Sequence, residues 1–330
     1  MQKILKQLFE HRPLSYADAR NVMLQMSQGI FNEHALSAFM TVYLMRSITI
    51  EELLGFRSAL LELAVKVNIE QDRLLDIVGT GGDGKNTFNI STLACFVAAG
   101  AGAKIAKHGN YGASAISGAS NVMEYLGYRF TNDNDVLNKQ VEKAGICFMH
   151  APLFHPALKT VGHIRKNLAV RTFFNMLGPM VNPAAPSAQL LGVYNVEMAR
   201  IYTYLLQQVA TRFTIIHSLD GYDEISLTSD TKVITQAGES VKSPFSLGKL
   251  TVQSAELEAG KSIEDAAKIF MNILEGNGTM AQQHVVVANA AMGLQCAGVY
   301  EHYEDAWIAA MESLQSKKAL QSLKSLLSLN

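Results

Sequence analysis

Cysteine is scarce: Cys95, Cys147 and Cys296 are the only three in 330 residues. They are odd in number, far apart and form no C-x-x-C pair, which argues against a zinc site and for reduced thiols. Long apolar runs are also missing. The most apolar stretches are short or broken by Gly, Asn or charge, so no membrane span is expected. Neither sign of charge is in excess, with 28 Lys+Arg against 29 Asp+Glu. A non-specific nucleic-acid binder needs a basic surface to release counterions, so that class is disfavoured, while a local patch for phosphates is not. The opening stretch, MQKILKQLFEHRPLS, has no long apolar core and no small-residue cleavage site, so no signal peptide and a cytoplasmic location are expected. Proline is rare too, and three of the seven crowd into residues 177–189 as Pro179, Pro183 and Pro186. A helix cannot run through such a segment, which therefore reads as a crossing or hinge.

What is present is a chain that is 48% hydrophobic and long enough for two domains, or one large domain with a lobe. Residues 1 to about 65 read as helices only. Ser15 is placed to cap one helix. Leu36, Phe39, Met40, Tyr43 and Leu44 share helical spacing in a second. Thr49 and Glu52 form a T-x-x-E capping box before a third. From Leu74 the pattern changes to strands alternating with helices. LLDIV, AKIAKHG and ICFMHA read as strands, with RFTIIHSL and TKVITQA further on. The expected fold is α/β, a mostly parallel central sheet flanked by helices, with a small all-α N-terminal domain. The expected bounds are 1–70 for the helical domain, a hinge at about 165–188, and 71–164 with 189–330 for the α/β domain.

The stretch DIVGTGGDGKNTFNIST leaves the first strand and comes within one residue of a Walker A loop, since Gly79, Gly84 and Lys85 have the spacing but Asn86 holds the Ser/Thr position. The missing hydroxyl and the acid Asp83 speak against a nucleoside triphosphate. A plain glycine turn and a cradle for another phosphate both remain. In the cradle, Asn89, Ser91 and Thr92 at a helix start donate toward an anion, and Ser91 is also placed to ligate magnesium. A second loop, KHGNYGASAISGAS, repeats the pattern with Lys107, His108, Gly109, Gly112, Gly118 and the hydroxyls of Ser114, Ser117 and Ser120. Two such loops on successive strands suit a ligand with two separated phosphate groups. Asp223 and Glu224, after the apolar strand FTII and a glycine turn, are either solvated acids or magnesium ligands. Arg165, on a helix leading into the hinge, has the chemistry to grip a carboxylate in a fork.

Taken in order, Gly79-Thr80-Gly81-Gly82-Asp83-Gly84, Asn89-Ile90-Ser91-Thr92, Lys107-His108-Gly109-Asn110, His155-Pro156-Ala157, Arg171-Thr172-Phe173-Phe174-Asn175, Leu177-Gly178-Pro179, Asn182-Pro183 and Asp223-Glu224-Ile225-Ser226 resemble the anthranilate phosphoribosyltransferase family. The resemblance implies transfer of phosphoribose from 5-phosphoribosyl 1-diphosphate to anthranilate, in tryptophan biosynthesis. It implies that the sugar diphosphate is held by Gly79, Gly82, Asp83, Thr87, Asn89, Ile90, Ser91, Thr92, and the run Lys107, His108, Gly109, Asn110, Tyr111, Gly112, Ala113, Ser114, Ala115, with Ala119. Anthranilate would meet Gly79, His108, Asn110, His155 and Arg165, and two magnesium ions would meet Ser91, Asp223 and Glu224. No residue is assigned as acid or base. A homodimer through the helical domain is implied. Three positions depart from the family pattern: Tyr111 stands where Arg is usual, Ala119 where Ser is frequent, and Asn121 where Asp is frequent. The alternatives are a pyrimidine-nucleoside phosphorylase, which the Asp-Glu pair disfavours, and a nucleic-acid-binding paralogue, which the neutral charge disfavours.

Overall fold

The computed structural model describes residues 1–112, 115–209 and 211–329. They form two compact units. One comprises Met1–Lys66 with Ala151–Ala185, the other Val67–His150 with Pro186–Asn330. The chain therefore crosses between units at Lys66–Val67, His150–Ala151 and Ala185–Pro186. Residues 151–164, which the sequence reading put with the α/β body, belong with the helices.

The first unit contains α1 (Gln2–Phe9), α2 (Tyr16–Ser27), α3 (Glu33–Met45) and α4 (Ile50–Leu63), with the helix Lys159–Leu168. Ser15, Asn32 and Thr49 cap α2, α3 and α4, each accepting a backbone N–H three residues on. Phe39, Tyr43, Phe56 and Phe173 form an aromatic core, with Phe56 and Phe173 stacked at 4.8 Å between ring centres. Glu52 is fully buried beside it. Its carboxylate accepts from Leu14 N (2.9 Å), Tyr43 Oη (3.0 Å), Thr49 N (2.9 Å) and the Arg46 guanidinium. Burial alone would raise its pKa, but the Arg46 bond and the two backbone donors together outweigh it and hold the carboxyl below its ordinary value.

The second unit is built on one seven-stranded sheet: β1 (Leu74–Gly79), β2 (Lys104–Gly109), β3 (Ile146–His150), β4 (Ala188–Gly192), β5 (Arg212–Ser218), β6 (Thr231–Thr235) and β7 (Gly238–Lys242). Its order is β3-β2-β1-β4-β5-β6-β7. The first five strands pair in parallel, and β6 and β7 add antiparallel. Two of these strands lie outside the sequence reading. β4 begins where the stretch read as hinge ends, and was passed over because AQLLG is short and follows three prolines. β7, GESVK, is exposed throughout and has no apolar alternation to mark it. Helices α5 (Ile90–Gly100) and α6 (Ala119–Tyr125) follow the two glycine loops. α5 is buried over nearly its whole length, which is why it reads ISTLACFVAAG, without charge. It packs on the helices Met280–Ala297 and Lys318–Ser328.

β1 has β2 on one side and β4 on the other, so successive connections leave it in opposite directions. That is the topological switch point, where open α/β sheets hold ligands at the carboxyl ends of the strands. Register puts Gly79 opposite Gly192 at that edge.

Candidate active site

The first loop leaves β1 at Gly79 and enters α5 at Ile90. Gly81, Gly82 and Gly84 have φ of 66°, 80° and 76°, left-handed values that side chains strain to adopt, so this turn demands its glycines. The far side of the loop is tied down by a segment that sequence reasoning passed over. Phe88 N donates to Leu257 O (2.9 Å), Ala259 N to Asn86 O (2.8 Å), and Thr87 bridges to Glu258.

Asp223 and Glu224 follow β5, and both are more than nine-tenths buried. Asp223 accepts the Gly81 N–H at 2.6 Å, and Glu224 accepts the Ser91 N–H at 2.8 Å, in the first turn of α5. Asp83 shares a hydrogen bond with Asp223 through their carboxyl groups and accepts Lys85 N at 3.0 Å. Three acids thus lie together. Burial, then the charge of Asp83, pushes Asp223 up to about 7. Burial, then the charge of Asp223, raises Glu224 well above its ordinary value, and burial raises Asp83. Such a crowd of buried carboxyl groups favours an arriving cation. Carboxylate oxygens are hard donors, so Asp223 and Glu224 fit a hard divalent ion that takes one or two carboxylates and completes its shell from phosphate and water.

Two residues that the sequence reading missed hold this acidic pair. A Cβ built on Gly192 would collide with the Asp223 carbonyl oxygen, so only glycine at the end of β4 lets the acidic loop lie against the strand. Asn289, buried within Met280–Ala297, accepts from Ile225 N (3.0 Å) and donates to Ile225 O (2.9 Å). The signals for both were present. Gly192 ends an apolar run as Gly79 does, and Asn289 is the polar exception in VVVANAAMGL. Ser218 Oγ adds a bond to Glu224 O at 2.7 Å.

The second loop leaves β2, the neighbour of β1. Lys107 is buried and donates to Ile77 O at 2.8 Å, so its ammonium sits within the sheet, where its charge favours ionised Glu224. His108 is buried at the strand end, and Asn110 is exposed with Oδ1 accepting Tyr111 N at 2.8 Å. Asn89 Nδ2 donates to Ser117 O at 3.0 Å, which ties the two loops together. Ile90 and Thr92 are buried behind the first loop, and Ala119 opens α6. Ala115 is half-buried. Ala113 and Ser114 lie outside the described residues.

The structure thus gathers Gly79, Gly82, Asp83, Thr87, Asn89, Ser91, Lys107 to Gly112, Asp223 and Glu224 on one edge of the α/β unit. Arg165 and His155 belong to the helical unit. There, the Arg165 guanidinium lies 5.2 Å from the Phe174 ring centre. His155 is buried, with Nε2 2.8 Å from Val181 O. Burial lowers the pKa of both.

Residues 71–320 match the family model described as glycosyl transferase family, a/b domain, and residues 2–64 match the model for its helical bundle domain. The anthranilate phosphoribosyltransferase of Flavobacterium johnsoniae is 55% identical over 326 residues, covering 99% of this chain and 98% of its own. This chain belongs to the anthranilate phosphoribosyltransferase family. The solved anthranilate phosphoribosyltransferase of Thermus thermophilus superposes with a TM-score of 0.92 at 30% identity, covering 98% of each chain. That of Saccharomyces cerevisiae, in complex with PRPP and Mg, gives 0.89 at 28% identity, covering 98% of this chain and 96% of its own. Family membership accounts for the seven-stranded, mostly parallel sheet and the separate helical bundle.

Proposed function

We propose that this chain transfers the phosphoribosyl group of 5-phosphoribosyl 1-diphosphate to the amine of anthranilate, with release of diphosphate, in tryptophan biosynthesis. The observation that carries the reading is the buried Asp223–Glu224 pair lying against the glycine loop at the switch point. Support also comes from a relative of that name at 55% identity and from the yeast complex with PRPP and Mg.

In this reading Gly79, Gly82, Asp83, Thr87, Asn89 to Thr92, the run from Lys107 to Ala115 and Ala119 hold the sugar diphosphate. Asp223, Glu224 and Ser91 hold magnesium, two ions per site. The bond from the anomeric carbon to the diphosphate oxygen breaks, and its electron pair leaves with diphosphate. The anthranilate nitrogen forms the new bond and then sheds a proton. Magnesium, when bound, neutralises charge on the departing diphosphate. The chain's own part is electrostatic and positional: loop amides face the phosphates, and the amine is held in line with the anomeric carbon. Arg165 takes the anthranilate carboxylate, and Gly79, His108, Asn110 and His155 contact or line its path. Replacing Arg165 by Ala should raise the KM for anthranilate far more than that for the sugar diphosphate, and equal effects would remove the clamp role.

We also propose a cytoplasmic homodimer formed through the helical unit. Phe9, Ile30, Leu44 and Met45 are exposed there in the single chain, Met45 at 82%. No helix among the described residues is long and apolar enough to cross a membrane. The direct test of activity is anthranilate fluorescence. Its loss on adding 5-phosphoribosyl 1-diphosphate and magnesium is the expected result. Unchanged fluorescence beside phosphorolysis of thymidine would favour a nucleoside phosphorylase instead.

A further inference from the structure

The run His108 to Asn121, which spans the second glycine loop, contains no lysine or arginine. Lys107, just before it, is buried on β2 and donates one of its three N–H bonds to the Ile77 carbonyl, so its charge is anchored at the strand and not carried on the turn. Tyr111 turns its hydroxyl to an acid, 3.3 Å from each Glu124 carboxylate oxygen. With no lysine or arginine in it, the turn offers an anion backbone N–H groups and hydroxyls, whose effect depends on how rigidly the turn is held. What aims them is visible at Asn121. Its Oδ1 accepts from both Gly112 N (2.9 Å) and Gly118 N (3.0 Å). The bond from Gly118 is the ordinary one from an N-cap N–H to the side chain of the third helical residue, since Gly118 caps α6 and Asn121 is its third residue. The bond from Gly112 is not: it reaches nine residues back and draws the entry of the loop onto its exit. The approach is close enough that a Cβ on Gly118 would strike the Gly112 nitrogen. Because both partners are N–H donors, the amide must present its oxygen, and the orientation is settled by chemistry. Ser120 N to Asn110 O (3.1 Å) closes the same neck.

We propose that Asn121 is a positioning residue for the sugar diphosphate, and that its neutrality is part of the role. A carboxylate accepts the same two N–H groups but adds a negative charge to a phosphate-binding turn with no free cation of its own in sequence. The inference rests on the function proposed above and deepens it.

The test compares Asn121→Asp, which keeps both acceptors and adds charge, with Asn121→Leu, which removes both. Binding of 5-phosphoribosyl 1-diphosphate with magnesium is measured by calorimetry, and KM and kcat by anthranilate fluorescence. Circular dichroism verifies the fold of each variant. For Asn121→Asp, the dissociation constant should rise roughly tenfold, the order set by one added charge at partly screened range. That penalty, relative to wild type, should shrink as salt is raised. For Asn121→Leu, a loss of roughly tenfold is expected because the turn is no longer held in place, with no comparable relief by salt. In both, the KM for the sugar diphosphate should move while that for anthranilate stays. If Asn121→Leu does not fold, Asn121→Asp still decides. Wild-type affinity in Asn121→Asp, or a penalty indifferent to salt, overturns the proposal. A wild-type protein that fails to bind the sugar diphosphate at all overturns the function proposed above instead.

Discussion

Gly192 shows how a residue with no side chain governs a charged site. Its Cα lies so close to the Asp223 carbonyl that a methyl group cannot enter without moving the acidic loop. Gly192→Ala should leave the fold intact and lower kcat/KM by roughly a hundredfold, since misplacement near 1 Å commonly costs that much. Activity within threefold of wild type at all magnesium concentrations would show that the loop tolerates the shift. Asn289 works from the other side, satisfying both the N–H and the carbonyl of Ile225, next to Glu224. Asn289→Leu strands two buried backbone groups and should cost about 2–3 kcal/mol of stability, read as a lower melting temperature. The sequence marks both positions, a glycine ending an apolar run and a lone amide in an apolar stretch of helix, but not their roles, which depend on distant segments meeting. Asp223 and Glu224 were legible, since adjacent acids after a strand and a glycine turn already suggest a metal. That Asp83 presses on the same acids was not.

Among the elements, the ones that announced themselves are those with local signals. Ser15, Asn32 and Thr49 each accept the backbone bond that starts a helix, and α5 declares itself by a mostly apolar run without charge. β4 did not, because a five-residue buried strand beside prolines looks like loop, and its identity comes only from pairing between β1 and β5. The T-x-x-E box at α4 conceals a larger role. Glu52 is the buried hub joining α4 to Leu14, Tyr43 and Arg46. Removing one partner of a buried pair is costly, so Glu52→Gln should lose roughly 3 kcal/mol at neutral pH. The sign of the pH dependence follows from its lowered pKa. The stabilisation is complete above the ordinary carboxylate value and is lost as pH falls through the depressed folded value. The melting-temperature gap between wild type and Glu52→Gln should therefore narrow in acid. A gap that is constant or wider in acid would mean that the charge of Glu52 is not what stabilises the helical unit.

At the scale of the molecule, alternating strands and helices were enough to expect an α/β sheet, and glycine loops at strand ends were enough to expect phosphates. Strand order was not readable, because nothing in the residues of β1 says that β4 rather than β3 will pair with it. Yet that order creates the switch point on which the site stands. Assembly belongs to this scale too. Charging the exposed apolar surface of the helical unit with Leu44→Glu and Met45→Glu should convert a dimer to monomers in analytical ultracentrifugation. A sedimentation coefficient unchanged from wild type would place the interface elsewhere. In the function proposed above, the glycine loops and the Asp223–Glu224 pair together bind a magnesium-loaded sugar diphosphate. Calorimetric titration of 5-phosphoribosyl 1-diphosphate, with and without magnesium, into wild type and into Asp223→Asn/Glu224→Gln tests it most directly. Wild type should bind at least about tenfold more tightly with magnesium, about 1.4 kcal/mol, and the double variant should lose that difference. Equal binding with and without magnesium in wild type, or an undiminished magnesium effect in the double variant, would contradict it.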